Sequence, residues 1–357
     1  VYQRRHDVDW LRVLALGLLI IFHITICFQS WAVWIAFIQN ESSMEWLWVP
    51  MSMLNIWRIP LLFMISGMGV YFAMQRRNWH QLLRERATRI LIPLVFGFFF
   101  ICPITIYLFQ NYYRKPIDYV PNAGHLWFLE NILAYVLLLL PILSYLKNRP
   151  ENFIFRLLSN LIQWPLGLIL MSLPFMAESW IVNPNDFSNF AMTDHGFWYG
   201  LVAFFTGFLL VSLSDIFWKA ITRIRHIALA IASSLFLSRI VFYNLDTDPE
   251  LNPMLGFESF NWMMAVFGYG AKHLNKPSKS LSYLSAAVFP IYILHLPVQQ
   301  YVSSYLLPLD LPAFLKLVIL ILATFVISWG IFHYGIRKIK WLRPLFGLRI
   351  SSSRVNQ

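Results

Sequence analysis

Charge is scarce in this 357-residue chain: 13% of residues are Asp, Glu, Lys or Arg, against 58% hydrophobic, where a soluble domain carries about 25% and about 45–50%. That leaves too little polar surface to coat a water-soluble body. A mean hydropathy of +0.59 excludes a disordered chain, a collagen-like repeat and an ordinary cytosolic enzyme. Cysteine is nearly absent, and Cys27 and Cys102 both stand in apolar stretches, so neither a disulfide framework nor a thiolate metal site is indicated. Also missing are the GxxxxGK[ST] phosphate loop, the G-x-S-x-G elbow, the H-E-x-x-H zinc pair and the EF-hand loop, so ATP-driven pumping and zinc proteolysis lose support. No linker, low-complexity tract or solenoid-period repeat divides the chain.

Long apolar runs fill the space instead. Between Val13 and Asn40 there is no formally charged residue, and a crossing helix takes about 20 residues. Hydropathy places spans at roughly 12–38, 46–74, 88–112, 126–146, 157–177, 197–214, 226–243, 258–271, 281–306 and 317–336, followed by a basic tail, 337–357. The expectation is an all-α polytopic bundle of about ten transmembrane helices in one membrane-embedded domain, 1–357. The first apolar run is far longer than the 7–15 residues or so of a signal-peptide core, so it reads as a retained span.

The net charge of +11 and pI near 9.7 describe topology rather than a nucleic-acid footprint, because the basic residues alternate between loops. With the N-terminus inside, the cytoplasmic loops collect Arg76, Arg77, Arg84, Arg86 and Arg89, then Lys147, Arg149 and Arg156, then Lys219, Arg223 and Arg225, then Lys272, Lys276 and Lys279. The tail from Arg337 to Arg354 joins them. Only Arg114, Lys115 and Lys316 fall outside, where Glu41, Glu45, Asp186, Asp194, Asp246, Asp248 and Glu250 gather. Both termini are therefore expected in the cytoplasm.

A charge at the bilayer centre costs at least about 2.5–3.5 kcal/mol, so each one needs a partner or a purpose. His23, Arg58, Glu130, Arg239 and His295 stand out. His23 lies eleven residues beyond Arg12, a helical rise of about 16 Å that also returns to the same face. It is either a satisfied histidine holding helices together or a proton path or base. Arg58, before Pro60 and the Ser66-Gly67 pair, is a packing residue with a snorkelled or paired head group, with Glu130 one candidate partner. His295, between Pro290 and Pro297, sits where broken helices expose carbonyls; a lone histidine there is more often structural. Arg84, Arg86 and Arg89 form a helix-like run ending at Pro93. They serve topology, or the phosphate recognition for which a planar guanidinium is suited, and Glu85 is placed to pair with Arg89 one turn on.

Several of these residues fall in ordered blocks. The run D-W-L-R-V-L-A-L-G-L-L-I-I-F-H at 9–23 resembles the signature of the membrane acyltransferase-3 family. So, in order, do F-M-I-S-G at 63–67, R-x-R-x-x-R-I-x-x-P at 84–93, H-L-W-F-L-E at 125–130 and F-P-I-Y-I-L-H-L-P-V at 289–298. The H-L-W-F-L block is also similar to that of the glucan succinyltransferase branch. The resemblance implies a bacterial inner-membrane enzyme that moves an acyl group from cytoplasmic acyl-CoA to a hydroxyl, usually of an extracytoplasmic glycan. It makes His23 the essential histidine, Arg12 its companion and Arg84, Arg86 and Arg89 the loop arginines. Acyl-CoA is then a co-substrate, with no permanently bound cofactor and no metal; the partners are the bilayer and a glycan acceptor, not nucleic acid.

The chemistry suits the residues. A sugar hydroxyl is a poor nucleophile at neutral pH, and a histidine within reach takes its proton as it attacks the thioester; an acyl-histidine intermediate is the other route. Arg58, Arg12 and Ser66 are each candidate donors to the oxyanion. The rival classes are a secondary transporter of a small anionic or carbohydrate-derived solute, for which the sequence lacks two related halves, and a non-catalytic scaffold, which leaves His23 and Arg12 unexplained.

Overall fold

The computed structural model describes residues 4–149, 151–164, 166–245 and 248–349; Asp246 and the tail beyond residue 349, with Arg354, lie outside them. Among the described residues are eleven α-helices. These are α1 (His6–Ile26), α2 (Glu45–Met74), α3 (Trp79–Tyr112), α4 (Gly124–Asn148), α5 (Phe153–Gln163), α6 (Ile169–Val182), α7 (Asp194–Ser212), α8 (Asp215–Tyr243), α9 (Asn252–His273), α10 (Lys279–Leu306) and α11 (Ala313–Ile336). Eight are long and apolar enough to cross a membrane, all except α5, α6 and α9. The chain is an all-helical, multi-pass membrane protein. Exposed Leu237, Val241 and Phe242 on α8, and Leu322 and Val326 on α11, form the kind of surface a hydrocarbon solvent covers.

The third and seventh expected spans, 88–112 and 226–243, belong to longer helices, Trp79–Tyr112 and Asp215–Tyr243, and three others differ in detail. The first was placed at 12–38, but α1 stops at Ile26, where its hydrogen bonds shorten to the three-residue pattern with Cys27 N donating to Ile24 O. The apolar residues that follow are folded back without a continuous helix. The fifth, 157–177, is two short helices rather than one; Pro165, outside the described residues, falls between them in the sequence, and proline ends a helix interior. At 11 residues, α5 rises only about 16 Å. The eighth is longer than expected, 22 residues rather than 258–271, but Asn252, Glu258 and Asn261, all buried, lower its hydropathy.

The described residues group into two compact units. One holds the chain up to Ala15, Ser52–Leu82 and Asn131–Leu281; the other holds Leu16–Met51, Leu83–Glu130 and the chain from Ser282. In the first, α2 and α7 meet at two glycines. A Cβ on Gly67 would lie 1.9 Å from the carbonyl oxygen of Phe204, and one on Gly207 would lie 2.1 Å from that of Met64. The glycine of F-M-I-S-G is thus a close-approach position of the kind membrane helices use to pack. Pro60 cannot donate to the carbonyl of Ile56, four residues back, and the Ser259 hydroxyl of α9 donates to that oxygen at 2.7 Å.

In the second unit the same accounting recurs. Pro103 releases the Phe99 carbonyl, which accepts from Tyr119 Oη at 2.8 Å. Pro297 releases the Ile293 carbonyl, which pairs with His125 Nε2 at 3.1 Å. The non-helical stretch between α1 and α2 is buried around Cys27, Phe28, Ala32, Ile38 and Met44, and side chains satisfy its backbone. Gln300 accepts from Ile38 N and donates to Ala36 O; Gln29 donates to Met44 O; Tyr113 Oη accepts from Gln39 N. Lys316, expected only as an outside charge, is buried and donates to Asn40 Oδ1 and Leu307 O.

Because backbone, not a flexible side chain, fills the space beside Gly67, Gly67→Leu is expected to destabilise the folded protein by at least about 1–3 kcal/mol. Gly17→Ala, where nothing lies within 4 Å, should be neutral or stabilising by about 0.5–1 kcal/mol. Thermal unfolding of both variants in detergent checks the contrast; equal melting temperatures would remove the packing role.

Candidate functional site

Histidines gather in the second unit. His23 is on the last turns of α1, His125 in the first turn of α4, and His295 between the two prolines of α10. His23 Nδ1 lies 2.8 Å from His295 Nε2. Their ring centroids are 5.1 Å apart and their planes differ by 4°. A 2.8 Å contact plus one ring radius on each side accounts for that separation only if the rings lie end to end in a common plane, which is the linear arrangement a hydrogen bond prefers. His295 is fully buried and His125 nearly so, while His23 is only half-buried.

Each neighbour is fixed by backbone. His295 Nδ1 meets the carbonyl of Tyr292, and the Tyr292 hydroxyl donates to the His125 carbonyl. The His125 ring stands at 85° to that of His295, centroids 5.0 Å apart. Gln299 Nε2 donates to the carbonyl of His23 at 2.8 Å and approaches Cys27 Sγ at 3.3 Å. That carbonyl is one of the last four of α1, which have no partner inside the helix. The main chain that carries His23 is therefore held from α10.

The arginine run lies in the same unit, on α3 rather than in a loop. The 34 residues of α3 would extend about 51 Å as a regular helix, more than a hydrocarbon core of about 30 Å takes, and the arginines lie in its N-terminal third, ahead of the apolar run from Ile90. Arg84 and Arg89 are exposed and Arg86 half-buried. Arg89 Nη1 reaches Glu85 Oε1 at 3.3 Å, the expected one-turn pair. Two stretches of α3 are wound as π-helix: Ala87–Leu91, which holds Arg89, and Gly97–Ile101, which follows the run.

The remaining expected residues are divided between the two units. Arg12 belongs to the first unit, 3.6 Å from Asp9. Ser66 spends its proton on the carbonyl of Leu62, at 2.8 Å, which commits the hydrogen an oxyanion would need. Arg58 is buried on α2 in the first unit and Glu130 stands in the first turn of α4 in the second. Arg239 pairs with Glu258, a residue that nothing in the local sequence singles out: Nε to Oε2 is 2.7 Å and Nη2 to Oε1 is 3.1 Å. Trp262 Nε1 donates to Oε1 at 3.2 Å. A second buried pair, His195 Nδ1 with Glu178 Oε1 at 3.0 Å, was likewise hidden by sequence distance.

A multi-pass helical membrane protein with a half-buried histidine backed by a buried one, and an arginine run in the N-terminal third of a long helix, defines the class. The family is equally plain: the model described as an acyltransferase domain, that of the acyltransferase-3 family, matches residues 5–333, and the chain belongs to that family. It is an acyltransferase. The chain is also similar to Glucans biosynthesis protein C of Escherichia coli K12, at 24% identity over 347 residues, covering 86% of this chain and 85% of that protein. The same figures hold for the protein from the MC4100/BW2952 strain. No solved structure matches the chain.

The Arg239–Glu258 geometry assigns it to the scaffold: both side chains are almost fully buried, 1% and 0% exposed, and they tie α8 to α9. Removing one partner strands the other charge, so Arg239→Met or Glu258→Leu alone should destabilise by about 3–5 kcal/mol, while the double variant recovers most of that loss. Thermal unfolding of the three variants checks this; a double variant as unstable as the sum of the singles would refute it.

Proposed function

We propose that the protein is a membrane-bound O-acyltransferase of the bacterial inner membrane. It moves an acyl group of the acetyl or succinyl class from cytoplasmic acyl-CoA to a hydroxyl of an extracytoplasmic carbohydrate. The observation that carries this is His23, at the family-matched position, half-buried and hydrogen-bonded through Nδ1 to a buried histidine. The name of the Escherichia coli relative, a glucans biosynthesis protein, favours a glucan-like acceptor.

In the proposed reaction the acceptor hydroxyl gives its proton to His23 as its oxygen bonds to the thioester carbonyl carbon. The tetrahedral intermediate collapses, the C–S bond breaks, and the CoA thiolate leaves with the proton that His23 held. The products are the ester and CoA thiol. Arg12 is the companion on the same helix, and Arg84, Arg86 and Arg89 bind the phosphates of acyl-CoA. The chain works as one membrane domain, 1–357, crossing ten times with both termini cytoplasmic: the eight long apolar helices, α9, and α5 with α6 as one broken crossing. The distribution of lysine and arginine between loops supports that orientation.

His23→Ala should abolish transfer while the protein still inserts and accumulates, as read by mass spectrometry of cell-envelope glycans and by release of CoA thiol from acetyl- or succinyl-CoA. Retained acylation at matched expression would sink the assignment. For the arginines, lysine keeps the charge that topology needs and loses the forked donor. At least one of Arg84→Lys, Arg86→Lys and Arg89→Lys should therefore insert normally yet bind acyl-CoA more weakly, by about 1–3 kcal/mol for a lost bond to a charged group. Unchanged titration curves and turnover in all three would leave the run a topology signal.

A further inference from the structure

We propose that His295 is the positioning residue of this site: it fixes His23 as the Nδ1–H tautomer, so that the lone pair of the ring is on Nε2. The inference rests on the reading of His23 as the reacting histidine. It follows from a chain of hydrogen bonds that has one polarity. A carbonyl oxygen only accepts, so His295 Nδ1, which meets the Tyr292 carbonyl, carries a hydrogen. In the neutral ring its other nitrogen, Nε2, is then an acceptor. The 2.8 Å contact between His295 Nε2 and His23 Nδ1 therefore requires the hydrogen to be on His23 Nδ1. The lone pair of neutral His23 falls to Nε2, the nitrogen on the far side of the ring from His295.

A free imidazole side chain prefers its proton on Nε2, so the Nδ1–H form is one that the surroundings of His23 select. The polarity originates in the backbone of α10, and neighbouring groups keep His295 from turning. His125 is committed through Nε2 to the Ile293 carbonyl that Pro297 releases and stands edge-on to the His295 ring. The Tyr292 ring, at 23° and 5.8 Å, flanks it. The coplanar, end-to-end arrangement of His23 and His295 aims the hydrogen along the lone pair, so the orientation of His23 is set together with its tautomer. General-base catalysis and attack through an acyl-histidine both need a lone pair on the nitrogen facing the substrate, and both are served by this lock. After His23 takes up a proton at Nε2, its Nδ1–H still donates to His295, so neither ring has to turn during the reaction.

The test reads the tautomer directly. Protein labelled with 15N-histidine is reconstituted in lipid nanodiscs, and the His23 nitrogens are assigned by their loss in His23→Gln. At a pH where the ring is neutral, the expected wild-type spectrum shows a protonated Nδ1 and an unprotonated Nε2. In His295→Phe, which fills the space without an acceptor, the proton should move to Nε2, with CoA release from acetyl- or succinyl-CoA falling at least about 100-fold; the wrong tautomer in a serine-protease triad costs about 10⁴-fold. His295→Gln, whose amide oxygen accepts, should hold the Nδ1–H tautomer and recover a substantial part of the rate. A merely structural His295 would move neither the tautomer nor the Gln-against-Phe contrast. Wild-type protein with its proton on Nε2, or His295→Phe with an unchanged His23 spectrum, overturns the proposal. If His23→Ala still transfers while the wild-type spectrum shows Nδ1–H, the catalytic assignment of His23 has failed and the tautomer assignment stands.

Discussion

Every backbone N–H and C=O inside a bilayer has to find a partner within the protein, since no water is there to supply one. Much of this structure is organised around that constraint. At Pro60 in α2, Pro103 in α3 and Pro297 in α10, the carbonyl left without its helical donor is met by a polar side chain: Ser259 on Ile56, Tyr119 on Phe99, His125 on Ile293. The non-helical stretch after α1 is handled similarly, by Gln29, Gln300 and Tyr113. These residues look expensive in a hydropathy plot. Their cost is offset because the alternative, an unsatisfied carbonyl in hydrocarbon, costs several kcal/mol.

The constraint also sorts the polar residues. His125, Ser66 and Arg239 are consumed by carbonyls or by a carboxylate, and they are structural by what they touch. His295 is divided, one nitrogen on backbone and the other on a second side chain. His23 differs from both: its Nδ1 meets a second side chain, His295, and it is half-buried rather than sealed. A catalytic group needs that combination of a fixed edge and incomplete burial, and it needs rigid support. Gln299 supplies the support by holding the carbonyl of His23.

Hydropathy made most helices legible because burial in lipid demands about 20 apolar residues in a row, a signal that needs no partner to be read. It failed where apolarity and helicity part company. Residues 27–38 are apolar enough for a span, yet they pack as irregular backbone around Cys27 and Phe28; α9 is helical yet carries Asn252, Glu258 and Asn261 inward. The candidate site was half legible. His23, His295 and the arginines could be named from ordered motifs, and the Glu85–Arg89 pair from its one-turn spacing. The His23–His295 bond spans 272 positions and Arg239–Glu258 joins two helices. No local pattern encodes such contacts, so only the fold could bring them together.

The arginine run makes sense in the same terms. An α-helix that simply ended at the membrane edge would leave its terminal backbone groups to water and its arginines on a mobile loop. Here Arg84, Arg86 and Arg89 lie within the continuous helix α3, so they are carried on helical backbone, with Glu85 pairing with the last of them. The π-wound stretches, Ala87–Leu91 at the end of the run and Gly97–Ile101 beyond it, each add a residue to a turn and so rotate everything beyond them by about 100° relative to a regular helix. The face that α3 shows below the run is thereby uncoupled from the face that bears the arginines. Lipid contact and Leu126 packing beside Gly97 can then be optimised on one register, and the guanidinium array on another.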